Sequence, residues 1–259
     1  MNLGGHVGDA PEHVANNREI LQSAIGCRPV FLNQTHGVGV VVLKRDAANG
    51  SDADACVTTE VGLACTIMVA DCLPVLFTTP CGSVVAAAHA GWRGLAGAAP
   101  GAGTSGHGVL ESTIAAIYAS FRALAPKLRA QAAPEIIAWL GPCIGPAAFE
   151  VGAEVQEVFV ANQPGAETCF APIQQGKYTA DLAALARARL LALGISTVYG
   201  NDSSSQWCTA SNPSRFFSHR RDASASADTG VGASNNSFAK SFGKGFGTTG
   251  RMAASIWLV

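Results

Sequence analysis

The stretch that organises the chain is A-D-C-L-P-V-L-F-T-T-P-C-G-S-V-V-A-A-A-H-A-G-W-R-G, which runs from Ala70 to Gly94. Two apolar runs, residues 73–78 and 83–88, flank a Thr-Pro-Cys-Gly segment whose proline and glycine are typical of turns. This pattern predicts a hairpin of two buried strands. Because the start of the first strand of a hairpin lies beside the end of the second, we expect Cys72 and His89 to lie close together. A thiolate beside an imidazole can bind a transition metal or act as a nucleophilic Cys–His pair.

Outside the hairpin, apolar periodicity and turn residues predict a mixture of strands and helices. The predicted strands are residues 30–32, 38–43, 55–58, 64–69, 136–140, 197–199 and 253–258, and the predicted helices are residues 11–25, 109–124, 152–162 and one opening at 178–181 and ending at Gly194. Strands and helices do not alternate strictly, so we expect an α+β or mixed-sheet α/β fold in a single domain over residues 1–259. Residues 223–248 are dominated by Ala, Ser, Gly and Asn, which predicts a flexible surface loop.

Composition excludes several classes of protein. Apolar residues make up 48% of the 259 residues and charged residues 14%, which is enough to fill a sizeable core. The net charge of −1 gives no electrostatic footprint for nucleic acid or for a membrane surface. The first residues, Met-Asn-Leu-Gly-Gly-His, have neither the basic nor the apolar region of a signal peptide. None of the eight cysteines forms a C-x-x-C pair, so we expect reduced thiols and a cytoplasmic protein.

Three side chains form the main candidate site: His36, Cys72 and His89. Each lies at a predicted strand end or polar bend, beside glycine or aspartate. Two imidazoles and one thiolate suit zinc, with the fourth position left for water, and zinc lowers the pKa of such a water to roughly 7. The residue pattern alone leaves a second interpretation open, because a histidine near apolar strands is usually only hydrogen-bonded and a buried cysteine is usually inert.

Four further residues are candidates near this group. Asp71 adjoins Cys72 and is placed either to orient a ligand or to act as a base. Cys143 lies in the Gly-Pro-Cys-Ile-Gly-Pro loop after a predicted strand, where it is either a second thiol of the site or a packing residue. Arg93 and Arg220 are either anion-binding groups or ordinary surface arginines.

Seven motifs, in order, resemble those of the laccase-domain family, also called YfiH-like, peptidoglycan editing factor or purine nucleoside phosphorylase. They are N-L-G-G-H-V-G-D (2–9), F-L-N-Q-T-H-G (31–37), A-D-C-L-P-V-L-F (70–77), A-A-A-H-A-G-W-R-G (86–94), L-G-P-C-I-G-P-A-A-F-E-V-G (140–152), R-F-F-S-H-R-R-D (215–222) and T-G-R-M-A-A-S-I-W-L (249–258). The resemblance implies a mixed-sheet α/β sandwich of the cysteine-hydrolase type. It also implies a metal, generally zinc, bound by His36, Cys72 and His89.

The sequence departs from the family pattern in two places. Family members usually carry a T-R-x-G-G-V-S motif ahead of N-L-G, and this sequence does not contain it. Asp222 and Arg251 are joined closely in the family but are separated here by an insertion at about 223–248, and a smaller insertion covers residues 99–106. The missing motif leads us to expect that a strand and an arginine near the pocket are absent.

The resemblance implies a zinc-dependent enzyme that acts on purine nucleosides. Phosphorolysis of adenosine, inosine or methylthioadenosine requires an anion site, for which Arg93, Arg220 and Arg251 are the candidates. Deamination of adenosine requires a group that moves protons, for which Asp71 is the candidate. The preferred purine and the oligomeric state cannot be predicted from the sequence.

Three alternatives stay open from the residues. One is copper-dependent oxidation of phenols, since such a site binds copper more tightly than zinc, although six histidines are few for a multicopper oxidase. Another is a cysteine hydrolase or amidase with Cys72 as the nucleophile and His89 as its base. The peptidoglycan-editing name of the family that the sequence resembles implies action on cell-wall precursors for such an enzyme. The last is a metal-binding or partner-binding module without catalytic activity.

Overall fold

The computed structural model describes residues 1–98, 106–128, 133–174, 176–222 and 249–259, which form helices and strands in mixed order. The helices are α1 (Pro11–Ile25), α2 (Trp92–Ala96), α3 (Val109–Leu128), α4 (Ala153–Asn162) and α5 (Leu182–Ala192). The strands are β1 (Arg28–Phe31), β2 (Val40–Leu43), β3 (Ala55–Thr58), β4 (Leu63–Val69), β5 (Leu73–Thr78), β6 (Val85–Ala90), β7 (Ile137–Leu140), β8 (Glu150–Gly152), β9 (Phe170–Pro172), β10 (Lys177–Ala180), β11 (Thr197–Gly200) and β12 (Met252–Trp257).

The strands form three sheets that contain parallel and antiparallel pairs. The largest has the order β11-β7-β5-β6-β3-β2, the second has the order β1-β4-β12, and a small third sheet has the order β8-β10-β9. The predicted hairpin is at the centre of the largest sheet, where β5 and β6 run antiparallel with Pro74 opposite His89. The predicted proximity of the two ends of this hairpin is therefore confirmed.

Alternation along β5 explains how the layers pack. Val75 and Phe77 point into an apolar core that α3 and α5 cover, whereas Leu76 points into a second core between the two larger sheets. Strand β4 is buried along its whole length, because it is the central strand of its sheet and faces the six-stranded sheet. Its continuous apolar run, in place of strict alternation, is typical of a strand covered on both faces.

Local signals set the ends of the best-predicted helices. Helix α1 begins with Pro11 and ends at Gly26, which adopts the left-handed conformation (φ 69°) that glycine adopts without strain. Helix α5 begins after Asp181, whose carboxylate accepts a hydrogen bond from the backbone N–H of Ala184 at 2.9 Å. The predicted bounds of α1 agree with the structure. The predicted start of α5 at 178–181 is wrong by up to a turn, because residues 178–180 belong to strand β10 and the helix begins at Leu182.

Most predicted elements are present, with shifts of one to a few residues at their ends. The second strand of the hairpin extends from Val85 to Ala90 and therefore includes His89. The sequence did not predict the short helix α2 or the small sheet of β8, β9 and β10. The predicted flexible loop at 223–248 and the small insertion at 99–106 (apart from Gly106) lie outside the described residues, and the single-domain organisation stays a prediction.

Two further expectations concern thiols and membranes. All eight cysteines are free, as predicted, and four of them are buried. Cys81 is exposed at the tip of the hairpin, within the predicted turn. Within the ranges that the structure describes, no helix combines the length and the apolar character needed to cross a membrane.

Candidate metal and active site

His36, Cys72 and His89 come together at one point between the two larger sheets. Their potential ligand atoms all lie within 4.8 Å of one another, and Sγ of Cys72 is 3.8 Å from Nε2 of His36. The two imidazole rings are 4.7 Å apart between centroids and nearly perpendicular, at 76°. His89 is buried, Cys72 is half-buried and His36 is exposed, so the group opens to solvent on the side of His36.

Asp54 holds two of these three residues in place. One carboxylate oxygen of Asp54 lies 2.8 Å from Nδ1 of His89 and also accepts the backbone N–H of His36 at 2.9 Å. The other oxygen accepts the hydroxyl of Thr35 at 2.9 Å and the backbone N–H of Gly37 at 2.6 Å. His36 has φ of 60°, a conformation that non-glycine residues adopt rarely, and these bonds fix the bend that contains it. Asp54 therefore positions both imidazoles.

The same contact sets the tautomer of His89. The pKa of the Asp54 carboxyl is raised by burial but lowered more strongly by His89 and by the N–H donors of the bend, so the group stays ionised. An ionised carboxylate only accepts hydrogen bonds, so Nδ1 of His89 carries the proton that it donates to Asp54. In the neutral imidazole, Nε2 is then free to bind a metal, in the carboxylate–histidine arrangement common at metal sites.

Cys72 and His89 favour each other's charged forms. Burial raises the pKa of the Cys72 thiol, but the charge of His89 and a hydrogen bond with His36 outweigh burial and lower the pKa to about 6. Burial lowers the pKa of His89, but the Cys72 thiolate and the Asp54 carboxylate outweigh it and raise the pKa to about 9. Without a metal, the pair is therefore a thiolate and an imidazolium at neutral pH.

Two glycines of the H-A-G-W-R-G motif allow the backbone to approach the group closely. A Cβ atom on Gly91 would lie 3.0 Å from Cδ2 of His36 and 3.1 Å from Sγ of Cys72. A Cβ atom on Gly94 would lie 2.6 Å from the carbonyl oxygen of Gly37, which is shorter than any real contact of this kind. The motif therefore lets α2 pack directly against the bend that carries His36.

Asp71 lies beside the group in an unusual backbone conformation, with φ of 93°. Its side chain is buried, and one carboxylate oxygen accepts the hydroxyl of Thr209 at 2.5 Å. The other oxygen accepts the backbone N–H of Arg220 at 2.6 Å. The carboxylate of Asp71 thus ties the loop before Cys72 to the segment that contains Arg220.

The three candidate arginines have different surroundings. Arg251 is partly buried, and burial lowers its pKa while the nearby charges of Cys72 and Asp71 oppose the shift, so its guanidinium lies within electrostatic range of the metal-binding group. Arg93 is exposed and stacks on Trp92 at 4.4 Å. The guanidinium of Arg220 donates to the backbone carbonyls of Ala148 and Glu150.

Cys143 is buried and lies outside the group of three ligand atoms. Burial raises the pKa of its thiol well above the ordinary value, and its sulfur accepts a hydrogen bond from the side-chain amide of Asn201 at 3.4 Å. The structure therefore brings together His36, Cys72 and His89, with Asp71 and Arg251 nearby, and leaves Cys143 as a protonated thiol beside them.

Sequence reasoning missed Asp54. It lies in S-D-A-D-A, one residue before β3, and nothing in that run distinguishes it from the neighbouring Asp52. The available signal was its position, because an aspartate at the start of a buried strand must be paired if it is itself buried.

The donor set fits zinc. Neutral imidazole nitrogen and thiolate sulfur are the ligands that zinc prefers, and three protein ligands leave one coordination position open, as in catalytic zinc sites. The hydrogen bond from His89 to Asp54 supplies the carboxylate partner typical of metal-binding histidines. Fold and site together define a mixed α/β protein with a His–Cys–His group that could hold a metal ion.

Comparison with known proteins identifies the family to which this sequence is similar. The family model described as multi-copper polyphenol oxidoreductase laccase matches residues 1–259. The purine nucleoside phosphorylase YfiH of Escherichia coli strain K12 is 40% identical over 262 residues, covering 100% of this chain and 86% of the relative. The purine nucleoside phosphorylase PA4543 of Pseudomonas aeruginosa is 40% identical over 259 residues, with the same coverage.

Two solved crystal structures have a similar fold over nearly the whole chain. The crystal structure of Neisseria meningitidis protein NMB0706 matches with a TM-score of 0.76 and 42% identity, covering 99% of this chain and 86% of that one. YlmD from Geobacillus stearothermophilus matches with a TM-score of 0.70 and 28% identity, covering 99% and 84%. The chain belongs to the laccase-domain (YfiH-like) family.

Proposed function

We propose that this chain is a zinc-dependent purine nucleoside phosphorylase. The observation that carries the proposal is the convergence of His36, Cys72 and His89 on one point, with the guanidinium of Arg251 within electrostatic range. The names of the relatives, which match over the whole chain, support the substrate class. A single group of three nitrogen and sulfur ligands suits a hydrolytic or transfer reaction better than electron transfer to oxygen.

In phosphorolysis, an oxygen of phosphate forms a bond to C1′ of the ribose while the bond from C1′ to the base nitrogen breaks. The electron pair of that bond leaves with the base, which takes up a proton, and the products are ribose 1-phosphate and the free purine. When bound, zinc supplies a positive charge that polarises a substrate atom in its open coordination position. The protein has to hold the anionic phosphate, orient the ribose and deliver a proton to the base.

The proposal gives the nearby residues different roles. Arg251, and Arg93 from the exposed side, attract the phosphate dianion. Arg220 acts as a positioning residue, because its guanidinium is hydrogen-bonded to two backbone carbonyls and its N–H to Asp71. Asp71 is our candidate for the group that moves a proton, and its two hydrogen bonds fix its orientation.

The test is an assay of the zinc-loaded protein with inosine, adenosine or methylthioadenosine, with and without phosphate. We expect ribose 1-phosphate (or its methylthio analogue) and free base only when phosphate is present, and loss of product in His89→Ala. Arg251→Ala should raise the KM for phosphate more than the KM for the nucleoside. A parent protein that releases no free base from any of the three nucleosides would contradict the proposal.

Deamination of adenosine is a second reaction that the same group of ligands supports. It replaces the amino group at C6 by oxygen from water and releases ammonia, so it needs no phosphate. Asp71 is again the candidate proton carrier. Ammonia and inosine formed from adenosine in phosphate-free buffer would support this reaction, and their absence while phosphorolysis proceeds would exclude it.

A cysteine hydrolase is the second candidate function, and the pKa of about 6 for Cys72 beside His89 favours it. In that case the thiolate forms a bond to an amide carbonyl carbon of a peptidoglycan precursor, the C–N bond breaks as the amine takes a proton from His89, and water then hydrolyses the thioester. The expected cysteine-hydrolase type of the fold depends on this activity. Activity that resists chelators and is lost when Cys72 is alkylated would support it. Loss of activity on chelation and its recovery with zinc would support the phosphorylase.

Copper-dependent oxidation of phenols is the remaining alternative, since copper binds nitrogen and sulfur ligands more tightly than zinc does. Within the described ranges, only one group with metal-binding spacing occurs, whereas a multicopper oxidase needs several copper ions. Metal analysis of protein purified without added metal separates the two. Stoichiometric copper with strong blue absorption would favour the oxidase.

A further inference from the structure

Two of the buried cysteines, Cys143 and Cys208, lie directly opposite each other on neighbouring stretches of backbone. They form an isolated parallel bridge, in which the N–H of Cys143 donates to Trp207 at 3.2 Å and its carbonyl accepts the N–H of Thr209 at 2.9 Å. Backbones paired in this way run about 4.8 Å apart, and side chains directly opposite each other point to the same face. Disulfides span roughly 4.4–6.8 Å between Cα atoms. The backbone therefore already holds these two free thiols at the spacing that a disulfide requires.

The sulfur of Cys208 has the surroundings of a reactive thiol. It accepts the N–H of Gly145 at 3.2 Å and the hydroxyl of Ser211 at 3.3 Å. Burial raises the pKa of Cys208, but the hydrogen bonds from Ser211, from Gly145 and from neighbouring backbone outweigh burial and lower the pKa. Because Ser211 is exposed, the sulfur lies only one side chain below the surface, within reach of a molecule as small as a peroxide. Cys208 is therefore placed to react as a thiolate.

Cys143 has the surroundings of a second thiol that follows the first. Burial raises the pKa of its thiol well above the ordinary value, so Cys143 stays protonated and does not compete with Cys208 for an oxidant. The side-chain amide of Asn201 donates to its sulfur at 3.4 Å and to the carbonyl of Gly141 at 3.0 Å, which fixes the orientation of the amide. This donor stabilises the negative charge that develops on the sulfur when the thiol gives up its proton.

Both cysteines adjoin a residue that holds Asp71 in place. Ile144, next to Cys143, donates its N–H to the backbone carbonyl of Asp71 at 2.8 Å. Thr209, next to Cys208, donates its hydroxyl to the carboxylate of Asp71 at 2.5 Å. The Cβ atoms of a disulfide are about 3.5–4.5 Å apart, closer than the roughly 4.5–5.5 Å typical of opposite residues in a sheet. A bond between the two sulfurs therefore draws both segments together and displaces the donors that hold Asp71.

We propose that Cys143 and Cys208 form a reversible disulfide when the protein meets a hydroperoxide, and that this bond loosens the hold on Asp71. The Cys208 thiolate attacks one oxygen of the hydroperoxide, the O–O bond breaks, and the other oxygen leaves and takes up a proton. Cys208 is then a sulfenic acid. Cys143 attacks the sulfur of Cys208, the S–OH bond breaks, and the hydroxide leaves as water with the proton of Cys143. The two thiols together lose two electrons, which reduce one hydroperoxide.

Cys56 and Cys65 are an internal comparison for this pair. Both are fully buried in the core between the two larger sheets, with 0% of each residue exposed. Burial, and then the neighbouring Cys56, raise the pKa of the Cys65 thiol well above the ordinary value. The Cys65 thiol donates to the backbone carbonyl of Val85 at 3.7 Å. Since neither sulfur reaches the surface and Cys65 stays protonated, we expect these two thiols to stay reduced under conditions that oxidise Cys208.

The first measurement treats the full chain, incubated with zinc, with a small excess of hydrogen peroxide. The chain carries Cys81→Ser, which removes the exposed thiol. We expect the loss of two free thiols per chain, a cross-linked Cys143–Cys208 peptide by mass spectrometry, and full recovery with dithiothreitol. Cys208→Ser should prevent the cross-link and leave Cys143 as a free thiol. Cys143→Ser should leave Cys208 as a sulfenic acid that dimedone labels. The peptide map identifies this cross-link whatever the state of Cys72.

The second measurement compares hydrogen exchange of the oxidised and the reduced chain. The backbone amides of Ile144 and Arg220 donate to Asp71, so both report on how firmly it is held. We expect these two amides to exchange at least about tenfold faster after oxidation, and the amides of β4 to keep their rates. Turnover of inosine should fall several-fold on oxidation and return on reduction, because Asp71 is the candidate proton carrier. This last expectation alone rests on the proposed phosphorylase function.

Cys27→Ser is the matched control, because it removes a half-buried thiol that adjoins β1 and should leave the cross-link unchanged. Peroxide treatment that yields no Cys143–Cys208 peptide would overturn the proposal, and a cross-link without faster exchange at Ile144 and Arg220 would overturn its effect on Asp71. If the reduced chain turns over inosine and no cross-link forms, the disulfide is wrong and the phosphorylase stands. If the reduced chain has no turnover but the cross-link forms and both amides exchange faster, the disulfide stands and the phosphorylase is wrong.

Discussion

We expect a substitution of Asp54 to disturb the site more than any other single change outside the three potential ligands. Its carboxylate contacts His89 and the N–H groups of residues 35–37. In Asp54→Asn, only one oxygen remains to accept these bonds, and the negative charge beside His89 is lost. We expect zinc affinity to fall about 10- to 100-fold, as is typical when a carboxylate behind a metal-binding histidine is changed.

Asp52→Asn is the matched control for this variant. Asp52 is two residues away and exposed, and it accepts a hydrogen bond from the side chain of Asn33 at 2.6 Å. Zinc affinity, measured by competition with a chromophoric chelator, should stay at the parent value in this control. Equal losses in the two variants would show that Asp54 acts only through general stability.

Cys72 should react as a thiolate well below the pH at which an ordinary thiol does. Because the pKa of Cys72 is about 6, alkylation of the metal-free protein by iodoacetamide should reach half its maximal rate near pH 6. His89→Ala removes the main charge that lowers this pKa, and burial then shifts the midpoint upward. The exposed Cys81 also has a lowered pKa, so the experiment uses Cys81→Ser as background and follows the Cys72 peptide by mass spectrometry. A midpoint near pH 9 in the background protein would contradict the thiolate–imidazolium pair.

The affinity for zinc should fall as the pH falls, in two steps. Between about pH 6 and pH 9 the metal-free site holds one proton, on His89, that zinc must displace, so affinity should decrease about tenfold per pH unit. Below about pH 6, Cys72 is protonated too, and the decrease should steepen to about a hundredfold per unit. Isothermal titration in buffers of different ionisation enthalpy counts the protons released. No proton release at pH 7.5 would contradict the assignment.

At this scale, the convergence of three potential metal ligands could be predicted, and the residues that hold them in place could not. His36, Cys72 and His89 follow from residue types at strand ends, since few side chains bind transition metals and the hairpin brings two of them together. Asp54 acts through bonds to the N–H groups of a bend, and such bonds leave no periodic or compositional signal. For the same reason, the hydrogen bonds of Asp71 to Thr209 and to the Arg220 backbone, across about 140 residues of sequence, could not be anticipated.

The contact between α2 and the bend before β2 is the element-scale feature that the site requires. In Gly94→Ala, the new Cβ would lie 2.6 Å from the carbonyl oxygen of Gly37. This oxygen belongs to the backbone, so no side-chain rotation can relieve the contact. Either α2 or the bend must move, so we expect a loss of about 1–3 kcal/mol in the free energy of unfolding and weaker zinc binding. Helix propensity alone predicts the opposite sign, because alanine favours helix over glycine.

Gly39→Ala is the control at this scale. Gly39 lies in the same segment, but its Cβ would meet no atom closer than 3.7 Å, which is an ordinary contact. Urea unfolding of the two variants should show a lower midpoint for Gly94→Ala only. A stabilised Gly94→Ala would mean that the close approach of α2 to the bend is not present in solution.

Element prediction succeeded where one pattern dominates. The hairpin, α1 and α5 have clear apolar periods and end signals, and their predicted positions agree with the structure to within a few residues. Strands β8, β9 and β10 are only three or four residues long, and β10 pairs with β8, whose residues lie 25 or more positions earlier in the sequence. Helix α2 has only five residues and is flanked by Gly91 and Gly97. A helix this short is not stable by propensity alone, so its formation depends on tertiary contacts.

For the whole molecule, the position of the site between the two larger sheets has a consequence for stability. His36 lies on the connection from β1 of the three-stranded sheet to β2 of the six-stranded sheet, and Cys72 lies on the connection from β4 to β5. His89 lies within β6 of the six-stranded sheet. A metal bound by all three residues therefore links two connections between the sheets to β6. Sequence patterns could predict each sheet's strands, but the face-to-face packing that creates this link depends on contacts between residues far apart in the chain.

Zinc should therefore raise the melting temperature of the folded chain. A ligand that binds only the native state stabilises it by about 2.7 kcal/mol at a free concentration of 100 times its dissociation constant. For a chain of 259 residues, 1 kcal/mol corresponds to about 2–4 °C, so we expect a rise of roughly 5–10 °C when zinc is added to metal-free protein. Magnesium, which prefers oxygen ligands, should leave the temperature unchanged. His89→Ala should respond weakly or not at all, because the two remaining ligands hold the ion less firmly than three. Equal melting temperatures with and without zinc in the parent protein would show that the three side chains do not hold an ion together in the folded state, and the link between the sheets would then rest on the apolar core alone.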